Sequence, residues 1–294
     1  MATGPAEQAA LDPRRGRDHD HPVDGIERAA EAIAGAKALL VTAGAGMGVD
    51  SGLPDFRGDE GFWKAYPPFR EKGLTFVDLA SPGWFDDDPE LAWGFYGHRL
   101  ELYRRTVPHR GFDVLRRLAA RAGRSFVFTS NVDGQFQRAG FPDDAIVECH
   151  GSIHHLQCLG DCGIGLFPAE APVDVDPASF RARPPLPRCP RCGTLARPNI
   201  LMFGDGGWDG TRTAEQSHRF RRFLETAPRG TCVIECGAGS AIPTVRLTSE
   251  RAAAGLGGTL VRINVREPGT PPGHIGLPMG AKDALTRIDS LLSR

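Results

Sequence analysis

Short, mostly apolar runs alternate along the chain with longer stretches in which apolar residues recur every three or four positions. The runs Ala38–Ala43, Ser125–Ser130, Ala145–Cys149, Cys232–Cys236 and Thr259–Asn264 read as buried strands. The stretches Ile26–Ala36, Phe112–Arg121 and Thr213–Glu225 carry helical spacing, and Gly35 falls near the end of the first. Strands alternating with helices predict an α/β fold with a parallel sheet. The first strand runs directly into Gly44-Ala45-Gly46-Met47-Gly48, the way a Rossmann-type sheet opens. Two stretches break this rhythm. Residues 59–110 are rich in aromatics and proline and mostly helical in pattern, and residues 153–197 hold paired cysteines and a proline-rich insert from Pro168 to Pro190. The expected organisation is therefore a disordered tail over 1–25 and one domain over 26–294. In that domain a Rossmann-like core carries a smaller module made of the helical segment 59–110 and a zinc-binding segment 153–197.

Composition narrows the class. Of the 294 residues 40% are hydrophobic, enough for a buried core, and a net charge of −1 gives no nucleic-acid signature. No apolar run approaches the ~18 residues of a membrane span. The polar N-terminal stretch, with Asp12-Pro13-Arg14-Arg15 and His19-Asp20-His21, lacks the apolar segment of a secretory signal, so a cytoplasmic location is expected. His19 and His21 read as solvated tail residues. Seven cysteines in that compartment point to metal binding or simple burial rather than disulfides.

Four of them have knuckle spacing: Cys158-x3-Cys162 and Cys189-Pro-Arg-Cys192-Gly193, separated by 26 residues. Such pairs aim two sulfurs at one ion, and two pairs complete a tetrahedral zinc site. Four thiolates leave no open coordination position, so the zinc is expected to be structural. Cys149, Cys232 and Cys236 lie in strands and read as small core residues.

Alone, Gly44-x-Gly46-x-Gly48 is an ordinary turn as readily as a phosphate-binding loop. The longer run from Ala43 through Gly52-Leu53-Pro54-Asp55-Phe56-Arg57-Gly58 resembles the first NAD motif of the sirtuins. Thr129-Ser130-Asn131-Val132-Asp133-Gly134 resembles that family's Thr-Gln-Asn-Ile-Asp segment. Glu148-Cys149-His150-Gly151-Ser152 resembles its catalytic-histidine block, and Arg197-Pro198-Asn199-Ile200-Leu201-Met202-Phe203-Gly204-Asp205 its substrate strand. The cysteine knuckles fall between the last two, in the family's order, and the resemblance runs from about Ile26 to Ile288.

The resemblance implies an NAD-dependent protein lysine deacylase, with NAD as co-substrate, one structural zinc and an acyl-lysine protein or peptide as partner. No nucleic-acid or membrane partner is expected. His150 would be the base, suited by an ordinary pKa near 6.5. Asn131 would orient the ribose beside it, and Asp133 would hold the nicotinamide carboxamide. Gly44, Ala45 and Gly46 would cradle the pyrophosphate through backbone N–H groups, with Asp55 in the same motif. Phe56 would screen the reacting carbon from water, and Arg57 would face a phosphate. Ser130 and Val132 would flank the ribose contacts. Gly237, Ala238 and Gly239 would line the adenosine side, joined by Asn264 and Glu267. Ile200, Leu201, Phe203 and Gly204 would bind the peptide.

The chain departs from the family pattern in places. Ser130 stands where glutamine is usual, Gly48 where serine is common, Asp205 for glutamate, and Gly237-Ala238-Gly239-Ser240 for a Gly-Thr-Ser loop. These changes bear on efficiency and substrate choice. Tyr96 and Arg99 resemble the Tyr-x-x-Arg pair that binds acidic acyl groups in the succinyl- and malonyl-lysine-removing members; the alternative is a buried tyrosine beside a solvated arginine. Phe76 falls where that subgroup has a pocket-widening alanine. Two further functions stay open: mono-ADP-ribosyl transfer or NAD hydrolysis, and NAD sensing without turnover.

Overall fold

The structure, a computed structural model, describes residues 22–54 and 58–293. The first 21 residues of the expected tail, and Asp55, Phe56 and Arg57, lie outside the described residues. Helix α1 (Pro22–Ala34) leads into β1 (Leu39–Ala43), and the short α2 (Gly46–Val49) follows the glycine turn. Helices α3 (Gly58–Ala65), α4 (Pro67–Glu71), α5 (Phe76–Leu79), α6 (Trp84–Asp87) and α7 (Pro89–Arg105) then form the first insertion. The chain returns to the sheet through α8 (Arg110–Ala122), β2 (Ser125–Thr129), α9 (Gln135–Arg138) and β3 (Ile146–Glu148). Strands β4 (Gly151–Cys158), β5 (Phe167–Pro168) and β6 (Ala196–Ile200) frame the second insertion. Helix α10 (Thr211–Thr226), β7 (Cys232–Cys236), α11 (Thr244–Leu256), β8 (Leu260–Ile263), β9 (Ile275–Leu277) and α12 (Ala281–Leu292) complete the sheet and its cover.

Among the described residues the main sheet has the order β3-β2-β1-β7-β8-β9, with every neighbouring pair parallel. The five expected strands are present, with ends within a residue or two of the sequence reading. The apolar runs follow from helices covering both faces. Leu39, Val41 and Ala43 of β1 point into a core shared with α1, α8 and α12, and Leu40 points into one shared with α10 and α11. Each such fully buried aliphatic side chain contributes roughly 1.5–3 kcal/mol. The strand order reverses between β1 and β7. In open α/β sheets the crevice at the carboxyl ends of such a strand pair is where ligands bind.

The two insertions meet in a separate core. Phe62, Tyr66, Phe69, Trp93, Phe95 and Tyr96 from the first pack with Ile153, Leu156, Ala196 and Ile200 from the second. Trp93 Nε1 donates to the Ala196 carbonyl at 2.9 Å, tying α7 to β6. Strand β4 pairs antiparallel with both β5 and β6, so this module hangs from the segment that directly follows His150.

Candidate active site

The glycine turn after β1 packs backbone to backbone against the turn after β7. Gly44 N donates to the Cys236 carbonyl and Gly46 N to that of Gly237, both at 3.0 Å. A Cβ on Gly44 would lie 2.8 Å from Ala238 Cα, and one on Gly237 would lie 2.4 Å from Gly46 C. Gly237 also has φ +64°, so both positions exclude larger residues. These bonds revise the expected phosphate cradle. The N–H groups of Gly44 and Gly46 are committed to the neighbouring turn, whereas Ala45 N–H makes no hydrogen bond to the described residues.

The segment after β2 reaches the same end of the sheet. Ser130 N donates to the Ala43 carbonyl at 3.1 Å, and Asn131 Nδ2 donates to the Gly44 carbonyl at 3.0 Å. Asn131 is thereby held against the glycine turn. Ile153 N donates to the Val132 carbonyl, so strand β4 fixes this segment from the other side. The buried Asp133 accepts a bond from Gln135 N at 3.0 Å, and His154 Nε2 donates to its backbone carbonyl at 3.0 Å. Sequence reasoning gave His154 no site role; its spacing from His150 places it on β4 facing Asp133, which no local motif reveals.

His150 is half-buried between β3 and β4. Burial lowers its pKa, against a smaller upward pull from the Ser130 backbone, so it is neutral near pH 7. Gly151 has φ +78°, and a Cβ there would lie 2.1 Å from the Asn199 carbonyl oxygen. Glycine after the histidine is therefore required for β4 to approach β6. The expected peptide segment touches His150 directly, since Leu201 N donates to the His150 carbonyl at 2.9 Å. Phe203 N donates to the Ala80 carbonyl, and Gly204 turns the chain with φ +68°. Ile200 is buried, whereas Leu201 and Phe203 are exposed beside His150, unusual positions for large apolar side chains. The turn beyond is held by Asp205, which takes two bonds of 2.8 Å from the buried Arg197 guanidinium.

Burial, with a smaller contribution from Glu148, raises the Asp133 carboxyl from 3.8 to about 6. An acid whose pKa is raised by folding supports stability below its unfolded value and loses that support as pH climbs through its folded value. Stability from this group is thus full below pH 4 and lost above about pH 6, a cost of about 3 kcal/mol. Asp133→Asn is expected to unfold at higher urea than the parent at pH 8, by about 1–3 kcal/mol, with the gap closing at pH 4. Equal stability at pH 8 would mean that the carboxylate is not strained there.

On the adenosine side the structure shows what holds Asn264. Asn264 is 2% exposed; Nδ2 donates to the Ala238 carbonyl at 2.7 Å, and Oδ1 accepts from Arg266 N and Glu267 N. It staples two loops together through its oxygen and one of its two Nδ2 hydrogens. Glu267 is engaged by Arg246, which also reaches the carbonyls of Ala238 and Gly269. Gly237, Ala238 and Gly239 do lie at the end of β7, across from the glycine turn.

Tyr96 and Arg99 are both buried, which removes the alternative of a solvated arginine. Arg99 Nε and Nη2 donate to the Tyr103 hydroxyl at 3.1 and 3.0 Å, and the guanidinium lies 5.6 Å from the centre of the Tyr96 ring. The guanidinium lies 5.8 Å from the Phe76 ring, and Phe76 in turn meets Phe203 edge-on at 6.4 Å. Phe76 therefore stands between the exposed peptide wall and the buried cation.

The four knuckle cysteines converge. Their sulfurs all lie within 4.8 Å of one another, with Cys158–Cys192 and Cys162–Cys189 at 3.5 Å. Tetrahedral Zn–S bonds of ~2.3 Å put sulfurs about 3.8 Å apart, so the donor set fits the ion. Gly193, at φ +74°, closes the second knuckle, where Cys189 N donates to the Thr194 carbonyl.

A family model described as Sir2 matches residues 44–221. An NAD-dependent protein deacylase of Thermus thermophilus is 30% identical over 275 residues, covering 90% of this chain and 94% of that protein. An NAD-dependent protein deacylase of Pyrobaculum aerophilum is 31% identical over 262 residues, with 88% and 92% covered. A solved Sir2 homologue in complex with NAD has a TM-score of 0.70 at 27% identity, covering 91% of this chain and 93% of that one. Among the described residues no helix is long and apolar enough to cross a membrane.

Proposed function

The chain belongs to the Sir2 family, and on that premise we propose that it is an NAD-dependent protein lysine deacylase acting on acyl-lysine proteins or peptides in the cytoplasm. One observation carries the reading. Asn131 is hydrogen-bonded to the glycine turn at the switch point, His150 follows β3 at the same end of the sheet, and Leu201 N is hydrogen-bonded to the histidine's own carbonyl.

NAD, when bound, supplies the ribose carbon that accepts the acyl oxygen and the nicotinamide that leaves. The N–H of Ala45, between the committed Gly44 and Gly46, would serve its phosphates. Asn131, pinned to Gly44, presents its amide to the ribose. Asp133, once ionised, accepts the carboxamide N–H and fixes the angle at which the nicotinamide departs. His150, neutral near pH 7, takes a ribose hydroxyl proton so that the oxygen can attack the acyl group. Leu201 and Phe203 wall the lysine channel, and their neighbouring backbone pairs with an extended peptide. The lysine amine leaves protonated and one water adds at the acyl carbon, so the products are free lysine, nicotinamide and O-acyl-ADP-ribose. The zinc is structural and takes no part in these steps.

Nicotinamide release from NAD, measured with and without an acetyl-lysine peptide, tests the reading. Release is expected to rise at least about tenfold with peptide, because the acyl oxygen is the nucleophile. Equal release in both would favour NAD hydrolysis.

Phe76 bears on the acyl group. Its ring narrows the path to Arg99, which favours acetyl over longer acidic chains. Phe76→Ala is expected to raise the ratio of desuccinylation to deacetylation kcat/KM about tenfold or more, since the path from the acyl carboxylate to the Arg99 guanidinium is then open. Arg99→Met in the same background is expected to erase the gain. An unchanged ratio would remove Tyr96 and Arg99 from the acyl pocket.

A further inference from the structure

His109 stands immediately before α8 and is 7% exposed. Its ring joins two backbone groups from distant parts of the chain. Nδ1 accepts from Gly111 N at 2.9 Å, capping α8, and Nε2 lies 3.0 Å from the Met47 carbonyl, 62 residues back in α2. Because Nδ1 is the acceptor, the ring proton sits on Nε2, and only this neutral tautomer makes both bonds. The backbone N–H of His109 donates to Ser51 Oγ at 3.0 Å, two residues beyond α2. A Cβ on Gly111 would lie 2.5 Å from His109 Cε1, so glycine there lets the ring lie over the start of α8. Capping alone does not call for histidine, since serine, aspartate or asparagine caps a helix with a shorter side chain. The bond to Met47 does, because it needs a donor that reaches past the cap. The turn is held at Gly44 by Asn131 and at Gly46 by the carbonyl of Gly237. His109 holds its far end, beside Asp50, which accepts from Lys282 N of α12 at 2.8 Å.

We propose that His109 is a positioning residue for NAD: its imidazole clamps the Met47 carbonyl, and with it the far end of the glycine turn, in the shape that presents Ala45 N–H to the pyrophosphate. The inference rests on the reading of this turn as the NAD-phosphate loop. The clamp works only in the neutral form, because a proton on Nδ1 would face the Gly111 N–H. Burial favours that form, against smaller upward pulls from the Met47 carbonyl and Asp50 and with help from Lys282. The ring also meets Phe112 of α8 at 5.0 Å between centroids, which fixes its tilt.

The test is calorimetric titration with ADP-ribose, which carries the same pyrophosphate and does not turn over, beside KM for NAD and for an acetyl-lysine peptide. His109→Asn keeps an acceptor for Gly111 N and loses the reach to Met47. ADP-ribose is expected to bind about tenfold more weakly, the size of one hydrogen bond, with KM for NAD rising to match. KM for the peptide and Tm are expected to stay near the parent's. His109→Gln extends an amide N–H toward Met47 and is expected to restore most of the affinity. Gly111→Ala keeps the imidazole but crowds it out of place, and is expected to weaken ADP-ribose as His109→Asn does. Unchanged ADP-ribose affinity in His109→Asn would overturn the proposal, and if that variant does not fold, unchanged affinity in Gly111→Ala would do the same. A rise in peptide KM equal to that for NAD would also overturn it, because a general loosening of the fold produces that. ADP-ribose binding that weakens as expected in a protein that transfers no acyl group would uphold the clamp and defeat the deacylase reading instead.

Discussion

Replacing His150 with alanine is expected to slow lysine deacylation about a hundredfold to ten-thousandfold, the range set by loss of a positioned general base. The argument is geometric first. His150 sits where β3 passes into β4, with Asn131 pinned to the adjoining glycine turn and the peptide segment bonded to its carbonyl. Its burial keeps the imidazole neutral near pH 7, the form able to take a proton. The base is needed only after the nicotinamide has left. Exchange of labelled nicotinamide into NAD in the presence of acetyl-lysine peptide is therefore expected to survive in His150→Ala. Single-turnover measurements of both reactions check this. If exchange and deacylation fall together, His150 acts before the leaving step and its assignment as the late base is wrong.

The second large effect concerns the thiolate cluster. Cys158 ends β4, and Cys189 and Cys192 precede β6, so the ion ties together the two strands that flank the His150–Leu201 contact. Structural zinc sites contribute on the order of 10 kcal/mol to the folding of the small units they hold. Cys192→Ser is expected to lower zinc content from one equivalent to a small fraction and to lower Tm by about 10 °C or more. Activity is expected to fall with it, although no sulfur approaches the reacting atoms. Metal analysis by mass spectrometry and calorimetry together check the claim. Full zinc content in the variant, or an unchanged Tm, would show that the cluster does not support the module.

Much of this was legible in the sequence because the signals were local. A buried parallel strand is an apolar run, and the runs at Leu39–Ala43 and Cys232–Cys236 could hardly be anything else in a chain of this kind. The knuckles and the His150 block are likewise read from neighbouring residues. What escaped was non-local or too short. Strand β9 has three residues with glycine in the middle, too few to show a period. Helix α11, with Thr, Ser and Arg between its apolar positions, carries only a faint stripe. The stapling of two backbone segments by Asn264 was not legible, because those segments meet only in the fold. The contact of His154 with Asp133 arises only when β4 closes on the 129–133 segment. The bond from Arg99 to Tyr103 escaped the reading, although the two lie one helical turn apart on α7, because the Tyr96–Arg99 spacing drew attention first.

The central claim is that acyl transfer from lysine to ADP-ribose runs through this site. Mass spectrometry of the products from purified protein, NAD and an acetyl-lysine peptide measures it directly. The account expects free lysine peptide, nicotinamide and O-acetyl-ADP-ribose in equal amounts, with His150→Ala forming little of the first and last. Nicotinamide formed with the peptide still acetylated, accompanied by free ADP-ribose or an ADP-ribosylated protein, would contradict it.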